Sequence, residues 1–303
     1  MTRQLLTGLA LARVGCRAPL ALKADPDWWD TALAAGVLGV AVAGDRIDAD
    51  GDGDGDAQLN WLPVTANDSH RAVLLSESEQ GIRVALLADQ AGPWPSLRVI
   101  GAELSDSDAA DATAAVALAT WHARHPRCPS CGGATEMHEA GWARICLQDA
   151  SVHYPRTDPA VIVLVRDADD RALLGRRADW PTNWFSTLAG FVEAGESAEQ
   201  AVAREIAEEA GVHVLPESLV YRGSQPWPFP SSLMLGYHAW VAGSAPTTTP
   251  DLDEIAEVRW LTRAELAAGA ADGTVRVPPP VSIARHLIED WFGDRLPSDW
   301  SRP

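Results

Sequence analysis

The sequence predicts an α/β protein: a mixed sheet held between helices over residues 156–303, preceded by an α+β domain over residues 1–122, with a cysteine-bearing module over residues 123–155 joining the two. Three observations carry this. A length of 303 residues exceeds one typical domain and suits two. In the second half, apolar runs of strand length alternate with helical segments that carry their own capping residues. Between the halves stand Cys128-Pro-Ser-Cys131 and Cys146, a metal-ligand spacing rather than a disulfide framework.

In the first domain the runs Val37–Val42, Ala72–Leu75, Val84–Leu87 and Leu97–Ile100 have strand length and are separated by turn residues. Asp48–Asp56 alternates Asp with Ala or Gly and looks like the opening of a calcium loop. A Glu at the twelfth position is absent: counting from Asp48 gives Leu59, and from Asp50 gives Trp61. A solvated hairpin loop is the better reading. The Ala-rich segment Asp108–Trp121 reads as a helix with Ser105 or Ser107 as its N-cap.

In the second half, Val161–Val165 reads as a buried strand, Asp167–Asp170 as a turn and Ala172–Gly175 as the returning strand. Phe185–Leu188 is a further strand. A helix opens at the capping box Ser197-Ala-Glu-Gln200 and closes at Gly211. Strands fit Leu219–Arg222, Leu233–Val241 and Val258–Leu261, and Thr262-Arg-Ala-Glu265 caps a short helix. The last helix runs from Ser282 to about Phe292.

Composition narrows the classes. The hydrophobic fraction of 47% and charged fraction of 22% describe an ordinary globular chain. A net charge of −18 disfavours extensive contact with nucleic acid. No apolar stretch reaches membrane length, so no membrane partner is expected. Leu5, Leu6, Leu9 and Leu11 faintly resemble a secretion signal, but Arg13 and Arg17 interrupt the run. It is read as the first strand or helix of a cytoplasmic protein. Cys16 stands alone and is read as a small buried residue.

The richest segment is Gly190–Val212. At 100° per residue, Glu205, Glu208 and Glu209 fall within an arc of roughly 100° on one helix face. Like charges at that spacing repel. A divalent cation turns the repulsion into attraction, and Mg²⁺ binds through a few carboxylates plus water and phosphate oxygens. Such a site can polarise a phosphoryl oxygen and activate water. The segment resembles the Nudix box, G-x5-E-x7-R-E-U-x-E-E-x-G-U, at every position. Chance agreement has a probability on the order of 10⁻⁸ at average residue frequencies.

The resemblance implies a Nudix α/β/α sandwich that uses Mg²⁺ or Mn²⁺ to cleave a nucleoside diphosphate linkage. It implies Glu205 and Glu209 as metal ligands with Glu208 assisting, the Ala189 carbonyl as a further ligand, and Gly190, Glu196, Arg204 and Gly211 as structural residues. The first domain leaves open an ancient duplication into a degenerate copy of the same fold.

Downstream lies Ser224-Gln-Pro-Trp-Pro-Phe-Pro-Ser-Ser232. Alternating prolines stiffen it, and its rings can stack on a base or plug a core. At this distance from a Nudix box the segment resembles the signature of NADH pyrophosphatases. That implies substrate binding by Gln225, Pro226, Trp227, Pro228, Phe229, Pro230, Ser231 and Ser232. By the same resemblance Glu254 is an additional metal carboxylate, and Ala284 and Tyr154 are substrate contacts. The implied reaction converts NADH or NAD⁺ to NMN(H) and AMP, extends to NAD-capped RNA 5′ ends, and is performed by a homodimer. Alternatives are broader activity on ADP-ribose or nucleotide sugars, or a non-enzymatic zinc-ribbon sensor that binds NAD or nucleic acid.

Cys128-x2-Cys131-x14-Cys146 has zinc-ribbon spacing, but Asp149 stands where a fourth Cys is expected. Asp149 is the favoured fourth zinc ligand; the alternatives are His153 or His138 in its place, or a weakened or empty site.

Overall fold

The computed structural model describes residues 5–15, 17–53, 55–78 and 81–297. Cys16 and Asp54 lie outside them. The chain divides into two compact units. One takes Ala10–Thr157 with Pro226–Ser232, and the other takes the chain up to Leu9, Asp158–Gln225 and Leu233 onward.

The first unit is built on helix α1 (Trp28–Ala35) and strands β1 (Val37–Ala43), β2 (Ala72–Ser78) and β3 (Gly81–Leu87). β3 lies parallel to β1 and antiparallel to β2. Val40, Val42, Val73, Leu74 and Val84 are fully buried, so the β-branched runs fill both faces. Helix α2 (Asp106–Arg124) starts at Ser105, whose hydroxyl accepts from the Asp108 amide. The acidic loop sits in a small hairpin, with Ala49–Asp50 paired to Gln58–Leu59.

Leu97–Ile100 departs from expectation and is a single helical turn rather than a strand. Ser96 caps it by accepting from the Arg98 amide, and a local cap outweighs the weak β propensity of four residues.

The cysteine module does not stand apart. Its strands β4 (Thr135–His138), β5 (Ala143–Cys146) and β6 (Val152–His153) form one antiparallel sheet in the order β6-β5-β4. Trp142 donates its indole N–H to the Leu74 carbonyl at 2.6 Å, and His122 Nε2 lies 2.8 Å from the Gly141 carbonyl. Ala140 is buried in the same core as Leu74 and Val84.

The second unit has six strands: β7 (Asp158–Arg166), β8 (Ala172–Arg177), β9 (Leu188–Phe191), β10 (Val220–Trp227), β11 (Ser232–Trp240) and β12 (Ile255–Leu261). Five run in the order β10-β11-β7-β8-β12, and β9 also pairs with β7, Ile162 opposite Ala189. The alternation in β7 sets the layers. Val161, Val163 and Val165 face helix α3 (Ala198–Ala210) through Ala201, Val202 and Ile206. Ile162 and Leu164 face the opposite way, toward helices α4 (Arg263–Asp272) and α5 (Ile283–Phe292) through Leu266, Leu287, Ile288 and Trp291. Both faces of the central strand are therefore dry, which explains its unbroken apolar run. The result is an α/β/α sandwich.

The expected strand at Phe185–Leu188 begins only at Leu188; Phe185 is a buried core plug whose amide donates to the Arg276 carbonyl. Residues 5–12 form neither strand nor helix. Leu6 donates its amide to Arg222 and Leu9 is buried in the core of this unit, not of the preceding domain. Among the described residues no helix is long and apolar enough to cross a membrane.

Ser197 and Gln200 cap α3 reciprocally, as do Thr262 and Glu265 at α4. Gly211 ends α3 at φ +68°, and a Cβ there would lie 1.8 Å from Thr249 Oγ1. Gly273 ends α4 at φ +78° with nothing within 4 Å. Gly273→Ala should therefore cost about 1–2 kcal/mol of left-handed strain, and Gly211→Ala about 2–5 kcal/mol once overpacking is added. Urea unfolding of the two variants measures the difference. Equal losses would mean that Thr249 yields freely.

Candidate active site

α3 and the strand before it build the carboxylate cluster. β9 brings Ala189 and Gly190 beside the last two turns of α3. A Cβ on Gly190 would fall 1.9 Å from the Glu205 carboxyl carbon, so the missing side chain is the space that Glu205 occupies. The Glu209 carboxylate turns inward and accepts from the Ala189 amide at 3.2 Å.

Arg204 braces the loop to the helix. Nε and Nη2 donate to the two Glu196 oxygens at 2.9 and 2.8 Å, Nη2 also to the Phe191 carbonyl at 2.9 Å, and Nη1 to Glu205 and Glu208 at 2.9 and 3.0 Å. All five guanidinium protons are thereby used. Through these contacts Arg204 ties Glu196 and the loop that carries it to α3.

Glu254 joins from the segment before β12. Its amide donates to Asp251 Oδ1 at 2.8 Å, which shapes the turn. Its carboxylate receives Arg177 Nη1 at 2.9 Å. Electrostatically the four acids are one system. Burial and then the charges of Glu205 and Glu254 push the Glu209 carboxyl up to about 8, against the pull of the Ala189 amide and Arg177. Burial also raises Glu205, partly offset by Arg204. Glu208 is 59% exposed and points to solvent.

A buried carboxylate beside two more, with one amide for company, fits a divalent cation. The set is hard oxygen only, and the Ala189 carbonyl lies on the same short strand. These oxygens are not drawn into a tight cage; among the described residues only the cysteine cluster brings its ligand atoms all within 4.8 Å of one another. A loose set suits an ion that keeps water and phosphate oxygens in its shell.

The cysteine cluster comprises Cys128, Cys131, Cys146 and Asp149. Amides of Ser130, Gly133 and Gln148 each lie 3.4 Å from one of the three sulfurs. Ser151 holds Asp149 Oδ1 through its amide at 2.9 Å and its hydroxyl at 2.5 Å, leaving Oδ2 toward the thiols, 3.6 Å from Cys128 Sγ. The Ser151 hydroxyl and neighbouring amides hold the Cys128 thiol down to about 6. His153 Nε2 stands 3.3 Å from Cys128 Sγ and 2.9 Å from Ser151 Oγ, next to the cluster. His138 is not in it.

The Pro-rich segment forms the turn between β10 and β11. Trp227 and Phe229 meet edge to face at 4.9 Å, and the Arg98 guanidinium sits 4.0 Å from the Phe229 ring and 5.3 Å from the Trp227 ring. Nothing in the sequence pointed to Arg98, because it lies on the short turn read as a strand.

Gln225 behaves differently from the expectation of a base-binding amide. It is fully buried, donates Nε2–H to the Val281 carbonyl at 3.0 Å and accepts from the Ile283 amide at 2.8 Å. Both ends of the amide are consumed in holding the start of α5. Ala284 is likewise 1% exposed, with its methyl in the core, so a contact by that side chain is excluded. Tyr154 is exposed and donates its hydroxyl to Glu139 at 3.2 Å. A cavity of about 1570 Å³ in the first unit is lined by Lys23, His122, His138 and Arg144 among others, and apart from His138 it includes none of the candidate site residues.

Comparison with known proteins agrees with this geometry. The NUDIX domain model matches residues 156–278, and the NADH pyrophosphatase zinc ribbon domain model matches residues 123–154. The chain is 44% identical over 237 residues to the NAD-capped RNA hydrolase NudC of Mycobacterium bovis, covering 73% of this chain and 75% of that protein. The Mycobacterium tuberculosis protein of the same name is 43% identical over the same shares. Human NAD-capped RNA hydrolase NUDT12 is 39% identical over 212 residues, 66% of this chain and 44% of its own length.

The Glu209 environment has a pH consequence. Its folded value lies above the ordinary 4.5, so the protonated carboxyl favours the folded state, and that stability is lost as pH rises from 4.5 toward about 8. Chelator-treated protein should lose stability across this window, and Glu209→Gln should flatten the loss. Parallel melting curves of the two proteins from pH 5 to 8 would refute the assignment.

Proposed function

Because the chain belongs to the Nudix hydrolases that carry the NADH pyrophosphatase zinc ribbon, we propose that it hydrolyses the pyrophosphate of NADH and NAD⁺ to NMN(H) and AMP, and removes the NAD cap from RNA 5′ ends. The observation that carries this is the intact carboxylate cluster: Glu205 and Glu209 against Gly190 and Ala189, with Glu254 coupled to both. The relatives named as NAD-capped RNA hydrolases support the substrate.

Glu205, Glu209, Glu254 and the Ala189 carbonyl would hold Mg²⁺ or Mn²⁺. When bound, such ions polarise a phosphoryl oxygen and lower the pKa of an attacking water. The protein supplies the rest. Arg204 fixes the helix register so that the ligand oxygens are preorganised. Glu209, whose environment favours a proton, must release one when a cation arrives, so cation affinity rises with pH. Glu208, free at its outer oxygen and exposed, is placed to accept a proton from water.

Trp227 and Phe229, with Pro226, Pro228, Pro230, Ser231 and Ser232, offer a stiff aromatic platform for a flat ring, and Tyr154 offers another. The Arg98 guanidinium lies against those rings. Gln225 serves the platform by anchoring its base, and a role for Ala284 would run through its backbone. This platform favours a dinucleotide over nucleotide sugars. The net charge of −18 agrees with recognition of a capped RNA by its cap rather than its body.

Cys128, Cys131, Cys146 and Asp149 would hold a structural zinc ion, with Ser151 orienting the carboxylate and His153 beside the set. Thiol ligands suit a reducing, cytoplasmic setting. A homodimer, which the family resemblance implies, is the assembly we propose.

Purified protein with Mg²⁺ or Mn²⁺ and NADH should release NMNH and AMP in equal amounts, and Glu209→Gln should lose at least about 100-fold in kcat. NADH and NAD⁺ left intact by folded wild type would sink the reading. Zinc analysis should give one ion per chain, markedly weakened by Asp149→Ala and little changed by His153→Ala. The reverse order would make His153 the ligand.

A further inference from the structure

The carboxylate cluster has a second arginine, and its position differs in kind from that of Arg204. β8 and β12 pair with a register shift between Arg176 and Arg177, and the Ala178 amide donates to the Glu254 carbonyl at 3.1 Å. The bulge re-aims the side chain at that point. Arg176 lies toward Glu257, 3.5 Å away and 15% exposed, whereas Arg177 turns to Glu254 and stays 44% exposed. Arg177 Nη1 donates to Glu254 Oε1 at 2.9 Å, Nε reaches Asp179 only at 3.4 Å, and Nη2 has no partner among the described residues. Its charge is felt at Glu209. Arg204 has no donor to spare; Arg177 has at least two N–H groups available and a long, exposed stem to move on.

We propose that Arg177 is a substrate-binding residue of the pyrophosphatase site: it shares Glu254 with the divalent cation and donates to a non-bridging oxygen of the dinucleotide diphosphate when the cation takes that carboxylate. The inference rests on the function proposed above. Its physical basis is competition. One carboxylate oxygen cannot fully serve a guanidinium and a divalent cation together, and a guanidinium displaced from Glu254 would have its donors free for a phosphate oxygen held there. A planar fork with unused donors is the group that recognises phosphate oxygens in pairs.

The two halves have opposite signs, and this separates them from a merely structural role. Without substrate, Arg177→Gln removes a competitor and should tighten Mn²⁺ binding. Exposed ion pairs are weak, so the gain should be about two- to five-fold. With substrate, the same variant loses a charge-assisted contact, and kcat/KM for NADH should fall about 10- to 100-fold, mainly through KM.

The test is Mn²⁺ titration of the full-length protein followed by the electron paramagnetic resonance signal of free Mn²⁺, alongside steady-state NADH hydrolysis. The variants are Arg177→Gln, Arg177→Lys, Glu254→Gln and the double variant Arg177→Gln with Glu254→Gln. Arg177→Lys should recover part of the loss in kcat/KM. The Mn²⁺ gain should vanish in the Glu254→Gln background, because the shared oxygen is gone. Mn²⁺ binding by Arg177→Gln equal to or weaker than wild type, or an unchanged kcat/KM, overturns the proposal. Wild type that binds Mn²⁺ but leaves NADH intact overturns the pyrophosphatase reading instead, and the Mn²⁺ titrations still decide the competition.

Discussion

Four carboxylates share one end of the catalytic sheet, and their mutual repulsion is the constraint around which the rest of that unit is arranged. Glu205, Glu208 and Glu209 are imposed by one face of α3, and Glu254 is added from another segment. Holding them together without cations raises the proton affinity of the buried members, as Glu209 records. The protein relieves the strain unevenly. Arg204 spends every donor on the rim, on Glu196, Glu205, Glu208 and a carbonyl, while the innermost acid receives a single amide. A site neutralised at its edge and left acidic at its centre attracts a small, doubly charged ion to that centre. The Ser197–Gln200 capping box, the glycine at position 190 and the left-handed Gly211 hold the carboxylate helix in that arrangement.

Much of this was legible in the sequence because it is local. A helix face, a capping box and a closing glycine are fixed by spacing within a few residues, and Ser197, Gln200 and Gly211 sit where the pattern puts them. The unbroken apolar run Val161–Val165 likewise announced a strand buried on both faces. What the sequence withheld depends on distant partners. Leu97–Ile100 is too short for periodicity to distinguish strand from helix, so the capping hydroxyl of Ser96 decided it and Arg98 went unnoticed. Arg177 and Glu254 are brought together by a strand pairing with a bulge, for which one sequence carries no sign.

Gln225 shows a different limit. Its side chain reads as a recognition group because an amide offers both a donor and an acceptor. Those same two functions match the carbonyl of Val281 and the amide of Ile283, two orphan backbone groups at the mouth of α5. Once buried, the amide is worth more satisfied by the backbone than held out for a ligand. Asp149 is the converse. It stands where the ribbon spacing expects a cysteine, and the Ser151 amide and hydroxyl hold its Oδ1 and leave Oδ2 toward the thiols.

The double duty of β7 reaches beyond the site. Val161, Val163 and Val165 belong to one hydrophobic core, Ile162 and Leu164 to the other, so a single strand is the common wall of both. Neither helix layer can finish packing while that wall is mobile, and loosening one layer releases the backbone that the other leans on. The two cores therefore stand or fall as one cooperative block. Partial opening is left to the parts that hang from the block, its loops and its ends, while the wall that carries β9 and the carboxylate helix opens only with the whole.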